Sequence, residues 1–196
     1  MPDSSQWQPS KPQGQAPSAK VLTLGHPVLR QVAQPVVSPA AAASDGPLQQ
    51  LIDQMLDTMR AANGVGIAAP QLGQALRVLV VASRPNLRYP HAPHMEPVVM
   101  LNPQVIAASD DLELGWEGCL SVPGWRGRVP RHRTVEVEYC DRYGQPQRQV
   151  WEGFVARIFQ HEADHLEGRV FLDRVLSETD LLSEEAYQAI EIADLP

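Results

Sequence analysis

The stretch FQHEADHLEG, Phe159 to Gly168, places two histidines four residues apart with a glutamate directly after the first. On a helix each residue advances about 100°, so His161 and His165 stand one turn apart on one face, where both imidazoles reach a single metal ion. Glu162 then points to the side of that ion, where a water has room to sit. The flanking sequence, WEGFVARIFQHEADHLEG, has helical periodicity: Phe154, Ile158, Phe159 and Leu166 fall on one side, and Arg157, Gln160, Asp164 and Glu167 on the other. His161, Glu162 and His165 share the apolar arc and are therefore expected to be buried. Polar groups are costly to bury unless something pairs with them, which favours a metal site over two unrelated core histidines. Two histidines leave that site short of a third protein ligand.

The rest of the chain sets limits on what surrounds this motif. At 196 residues, 43% hydrophobic and 20% charged, it is long enough for one domain with a real core. Sixteen Lys and Arg against 23 Asp and Glu give a net charge of −7 and a pI near 5.3, which argues against nucleic acid as the main ligand. The one basic run, RGRVPRHR from Arg126 to Arg133, reads as a solvated edge. No stretch approaches about 18 consecutive apolar residues, so no membrane span is expected. The N-terminus, MPDSSQWQPSKPQGQAPSAK, has neither the apolar region of a secretory signal nor the arginines of a transit peptide. Its Pro, Gln and Ser content makes residues 1–19 an expected flexible tail ahead of a single catalytic domain at 20–196. With no export signal, Cys119 and Cys140 are expected as free thiols in a reducing cytosol.

SDGPLQQLIDQMLDTMRAANG carries helix signals: Ser44 or Asp45 as cap, Pro47 in the first turn and Gly64 beyond the end. ALRVLVVAS and PVVMLNPQVI read as strands, TVEVEYCD alternates with Val135, Val137 and Tyr139 on one face, and RYGQPQRQVWEGF reads as a turn and a strand leading into the metal helix. A final helix is expected over SETDLLSEEAYQAIEIA, starting at the Ser-x-x-Asp signal of Ser177. The expected class is α+β: antiparallel sheets around a central H-E-x-x-H helix, with one helix in the N-terminal half and one at the C-terminus.

Candidates for the third ligand are Cys119, Cys140, His26, His91, His94, His132 and the carboxylates. Cys140 ends an alternating strand and reads as a small core residue, and His91 and His94 lie in a Pro-rich loop. Cys119 lies in GWEGCLSVPGW, where flanking glycines allow close backbone approach and leave N–H groups free. An inert buried thiol is the commoner fate of such a cysteine. NGVGIAAPQLG is a further segment whose backbone is open to packing or hydrogen bonding, and it lacks the pattern of a dinucleotide loop.

Taken together, GVGIAAPQ, EGCLS and QHEADHL, in this order, resemble the three signature motifs of the peptide deformylase family. The likeness extends to VLTLGHPVLR and so spans the chain from about residue 20 to the start of the last helix; residues 1–19 have no counterpart. The resemblance implies removal of the formyl group from the N-terminal formyl-methionine of nascent polypeptides, in a bacterial-type cytoplasm or an organelle, with the ribosome near its exit tunnel as a further partner. It implies one divalent metal, natively Fe(II) and replaceable by Zn(II), Ni(II) or Co(II), held by Cys119, His161 and His165. Glu162 would be the general base and acid for attack by a metal-bound water. Gln71 and the backbone N–H of Leu120 would hold the formyl oxygen. Val65, Gly66 and Gly118 would bind the substrate backbone, Phe154 and Ile158 would line the methionine pocket, and Arg126 would lie near its mouth. Arg131 is implied as the ion-pair partner of Asp164. After the second motif, VPGWRGRVPR with Trp125 departs from the pattern and bears on peptide preference beyond the methionine.

Two other readings stand beside this one. A zinc metallopeptidase would need a downstream third ligand, for which LEGRVFLDRVLSETD offers Glu167, Asp173 and Glu178 but no H-x-x-G-x-x-H continuation. A non-catalytic domain would use the metal structurally or dock at the ribosome as a binding module; a structural site would have four closed protein ligands, and the chain offers no clear fourth.

Overall fold

Asp45 accepts a hydrogen bond from the Leu48 N–H and Pro47 occupies the first turn, so helix α1 starts at Gly46 and runs to Ala61. This computed structural model describes residues 19–85, 89 and 91–190. Most of the expected tail, residues 1–18, lies outside them, while the Ala19 N–H is tied to the Thr58 hydroxyl of α1 at 3.1 Å.

Beyond α1 come strands β1 (Gly66–Ala68), β2 (Val78–Ser83), β3 (Met95–Ala108), β4 (Leu112–Cys119), β5 (Val122–His132), β6 (Thr134–Cys140) and β7 (Pro146–Glu152). Helix α2 (Gly153–Leu166), strand β8 (Leu181–Ser183) and helix α3 (Glu184–Gln188) follow. The strands form a five-stranded sheet in the order β1-β2-β3-β6-β7 and a three-stranded sheet in the order β4-β5-β8, with antiparallel pairing throughout both.

The run VLVV in β2 is continuously apolar because both faces of the larger sheet are covered. Val78 and Val80 pack with Ile52, Met55 and Met59 of α1. Leu79 and Val81 pack on the other face with Val135, Val137 and Tyr139 of β6 and with Ile158, Phe159 and Leu166 of α2. Helix α2 is thus held by the apolar side that its sequence displays. Its opposite side, expected to be polar, is solvated only in part: Glu167 is exposed, but Arg157 and Asp164 are buried against the smaller sheet. A helix wedged between two sheets must place charged groups inside, and ion pairing offsets their desolvation.

Two expectations change, and two strands appear that the sequence did not announce. Strands β4 and β5 have weak sequence signals because Gly115, Gly118, Pro123, Gly124, Gly127 and Pro130 interrupt them. The basic run is a solvated edge only in part: Arg133 is exposed and Arg128 half-buried, but Arg126 and Arg131, on opposite faces of β5, are both buried. The final helix does not begin at Ser177. That residue caps only a short 3₁₀ turn at Glu178–Asp180; Leu181–Ser183 then pair with Trp125–Gly127, and Ser183 caps α3 through the Ala186 N–H. Backbone pairing to the open edge of β5 outcompetes helix continuation there.

Candidate metal centre

The i, i+4 spacing on α2 puts the His161 and His165 rings 5.4 Å apart, and β4 ends at Cys119 directly beside them. The Cys119 sulfur lies 3.3 Å from His165 Nε2, and the three residues each offer a ligand atom, all within 4.8 Å of one another. No other residues form such a group among the described residues. Burial opposes ionisation of Cys119, but His165 and His161 outweigh it and lower the thiol to about 5. Burial likewise opposes charging of His161, yet Cys119 and Glu117 push its pKa well above the usual value. A soft thiolate and two imidazoles, converging in a buried site, fit a divalent ion such as zinc or iron.

Glu117 is the residue the sequence reading missed. It accepts from His161 Nδ1 at 2.8 Å and is gripped by Arg131 through two bonds of 2.9 and 3.0 Å, with Arg157 adding a third at 3.1 Å. Burial works against its charge, but His161 and Arg131 hold it down at about 2, so the carboxylate is ionised and His161 carries its proton on Nδ1. That leaves Nε2 of His161 as the nitrogen available to a metal ion. The available signal was the spacing: Glu117 and Cys119 are two apart and share a face once the segment is a strand.

The network continues outward. Arg131 bonds Asp164 at 2.6 Å, the pair implied by the resemblance, and Asp164 also takes Arg174 at 2.7 Å. Asp164→Ala would leave Arg131 buried with half of its counter-charge removed. It is expected to cost about 3–5 kcal/mol and so lower Tm by roughly 6–20 °C, against about 0.5 kcal/mol for an ordinary surface change. A thermal melt of the purified variant checks this, and an unchanged Tm would contradict the role.

Glu162 lines the same cavity as Cys119 and His161. Burial is the main influence on it and raises its pKa to about 7, and its Oε2 is buried without a hydrogen-bond partner among the described residues. A Cβ at Gly66 would overlap the Glu162 carboxylate, so only glycine lets β1 approach this closely. Gln71 is fixed by its amide oxygen, which accepts from Ala68 N–H at 2.8 Å; its Nε2 faces Ser121 Oγ at 3.2 Å and the Cys119 sulfur at 3.6 Å.

Val65, Gly118, Leu120, Phe154 and Ile158 line the cavity too. So do Tyr89 and Trp116, which the sequence did not suggest. Arg126 is not on the lining: it is buried behind Gly118, against which its guanidinium is packed so tightly that a Cβ would lie 2.9 Å from Nη1. The other ligand candidates lie elsewhere. His26 caps a 3₁₀ turn, His91 and His94 are exposed, His132 bonds the Ser109 carbonyl, and Cys140 packs beside the α1 cluster. Glu167 pairs with Arg77, Asp173 with Arg30, and Glu178 is exposed, so none supplies a metallopeptidase's third ligand or a structural site's fourth.

A family profile described as polypeptide deformylase matches residues 18–180, leaving β8 and α3 beyond it. Peptide deformylase 2 of Nostoc sp. is 55% identical over 170 residues, covering 87% of this chain and 93% of that protein. Peptide deformylase 2 of Shewanella oneidensis is 44% identical over 184 residues, 93% of this chain and 96% of that one. The Met-Ala-Ser-bound crystal structure of a class I type b peptide deformylase from Acinetobacter baumannii superposes with a TM-score of 0.77 at 48% identity, covering 80% of this chain and 98% of that one. A fold of two antiparallel sheets around one central helix, a Cys-His-His cluster and matches of this extent agree: the chain belongs to the peptide deformylase family of enzymes.

Proposed function

We propose that this chain hydrolyses the formyl group from the N-terminal formyl-methionine of nascent polypeptides emerging from the ribosome in the cytoplasm. The observation that carries the reading is Glu162: a buried carboxyl with an unpartnered oxygen, in one cavity with the converged Cys119–His161–His165 donors.

Those three residues would hold one divalent ion, with Fe(II) as the native choice and Zn(II), Ni(II) or Co(II) as replacements. Such an ion supplies Lewis acidity and makes a water more acidic. Glu162 takes the proton of the attacking water at its free Oε2 and delivers it to the departing amine nitrogen, so the formyl C–N bond breaks to give formate and a free N-terminus. A pKa near neutrality suits a group that must both accept and return a proton. Gln71 Nε2 and the Leu120 N–H donate to the formyl oxygen as it gains negative charge; losing one such donor costs about 10²–10³ in rate. Val65, Gly66 and Gly118 bind the peptide backbone, and Phe154 and Ile158 receive the methionine side chain.

Formate release from formyl-Met-Ala-Ser by the metal-loaded chain, measured beside cleavage of internal peptide bonds, tests the reading. Formate with intact peptide bonds is expected. Peptide-bond cleavage without formate would replace this reading with the metallopeptidase one, and neither product would leave a structural metal site.

A further inference from the structure

Arg126 has the largest side chain among the fully buried residues, 1% exposed, yet it carries a charge and lies outside the cavity. Its counter-ion comes from the C-terminal segment beyond the matched family region. Glu184 of α3 accepts from Nε at 2.8 Å and from Nη2 at 3.2 Å. One turn on, the Tyr187 ring covers the guanidinium at 4.9 Å. On its other side Arg126 donates from Nη1 to the Tyr89 hydroxyl at 3.2 Å and presses on the Gly118 backbone. Tyr89 packs on Phe154 with ring centroids 4.8 Å apart, and Tyr187 meets Trp116 edge-on at 5.4 Å. Tyr89, Trp116, Gly118 and Phe154 all line the cavity.

We propose that Leu181–Gln188 is a clasp for the substrate cavity, with Glu184 and Tyr187 as positioning residues that act through Arg126 and Trp116 on the wall receiving the peptide. A bidentate guanidinium–carboxylate pair fixes both groups in plane. Here that pair fixes Arg126, which in turn sets Gly118 and the Tyr89 ring. β8 anchors the clasp by pairing with Trp125–Gly127, on both sides of Arg126 in sequence, so the segment and its target move as one unit. Released from Glu184, the arginine would be a buried cation seeking water, and the wall in front of it would loosen. The metal ligands and Glu162 sit on α2 and at the end of β4, held by the separate Glu117–Arg131–Asp164 network, so peptide binding and the chemical step respond to different supports.

This inference rests on the proposed deformylation, and its test keeps the two apart. Full-length, metal-loaded Glu184→Gln, Tyr187→Ala and Tyr187→Phe are compared with the unchanged chain. The measurements are KM and kcat for formyl-Met-Ala-Ser, calorimetric binding of the product Met-Ala-Ser, metal content and Tm. Glu184→Gln and Tyr187→Ala are expected to raise KM and weaken Met-Ala-Ser binding about 3–10-fold, with kcat and metal content within about twofold, because only part of a charged hydrogen bond's strength is passed to the wall. Tyr187→Phe, which keeps the ring, should match the unchanged chain. Unaltered KM and peptide binding in both disruptive variants would overturn the clasp, as would a joint fall of kcat, metal content and Tm. The peptide-binding comparison decides the clasp even if the unchanged chain released no formate.

Discussion

Glu162→Gln is expected to keep a full complement of metal while kcat falls about 10²–10⁴-fold, the usual range for loss of a general base. The geometry separates the two outcomes. Glu162 is not one of the three residues whose ligand atoms converge, and its carboxyl instead abuts Gly66 of β1, so it is held beside the cluster. Glutamine has the same shape and fits the same contact, but its amide cannot accept and return a proton. Metal analysis of the purified variant decides the matter: if metal is lost together with activity, Glu162 is a ligand and the proposed proton transfer is wrong.

Cys119→Ser is expected to lower metal affinity by more than the roughly 10–100-fold typical of losing a partner behind a ligand, because here the ligand itself changes. A hydroxyl is a harder donor and stays protonated at neutral pH, whereas the Cys119 thiol is lowered to about 5 by the imidazoles beside it. Cys140→Ser supplies the control, since that thiol lies at the end of β6 by the α1 cluster and is not one of the converging donors. Metal stoichiometry should fall in the first variant and hold in the second. The reverse result would remove Cys119 from the site and the second motif from its proposed role.

Much of the site could be read from local spacing. The i, i+4 histidines and the apolar arc they share required burial on a helix, and α2 buries His161, Glu162 and His165. The alternation of TVEVEYC and the cap at Asp45 likewise specified β6 and α1. The reading failed where a residue's partner is distant in sequence. Arg157 and Asp164 looked like a solvent face because periodicity reports polarity, and a polar residue paired across a sheet has the same letter as one in water. Glu117 gave no signal of its own, and Arg126 and Arg131 read as part of a basic edge, for the same reason.

What the chain determined by itself was the chemistry available: three signature segments, a donor set with one soft ligand, and a carboxyl placed beside it on the same helix turn. Helical and strand periods are local, so they survive without knowledge of the fold. What only tertiary structure decided was how those groups are aimed. His161 presents Nε2 because Glu117, 44 residues away, holds its other nitrogen; β4 follows a glycine-broken sequence because Arg157 and Arg126 need the space; and a strand replaces a helix at Leu181 because the edge of β5 is there to pair with it. Each of these is settled by desolvation and hydrogen bonding between segments that meet only after the two sheets close on α2, and no local propensity encodes that meeting.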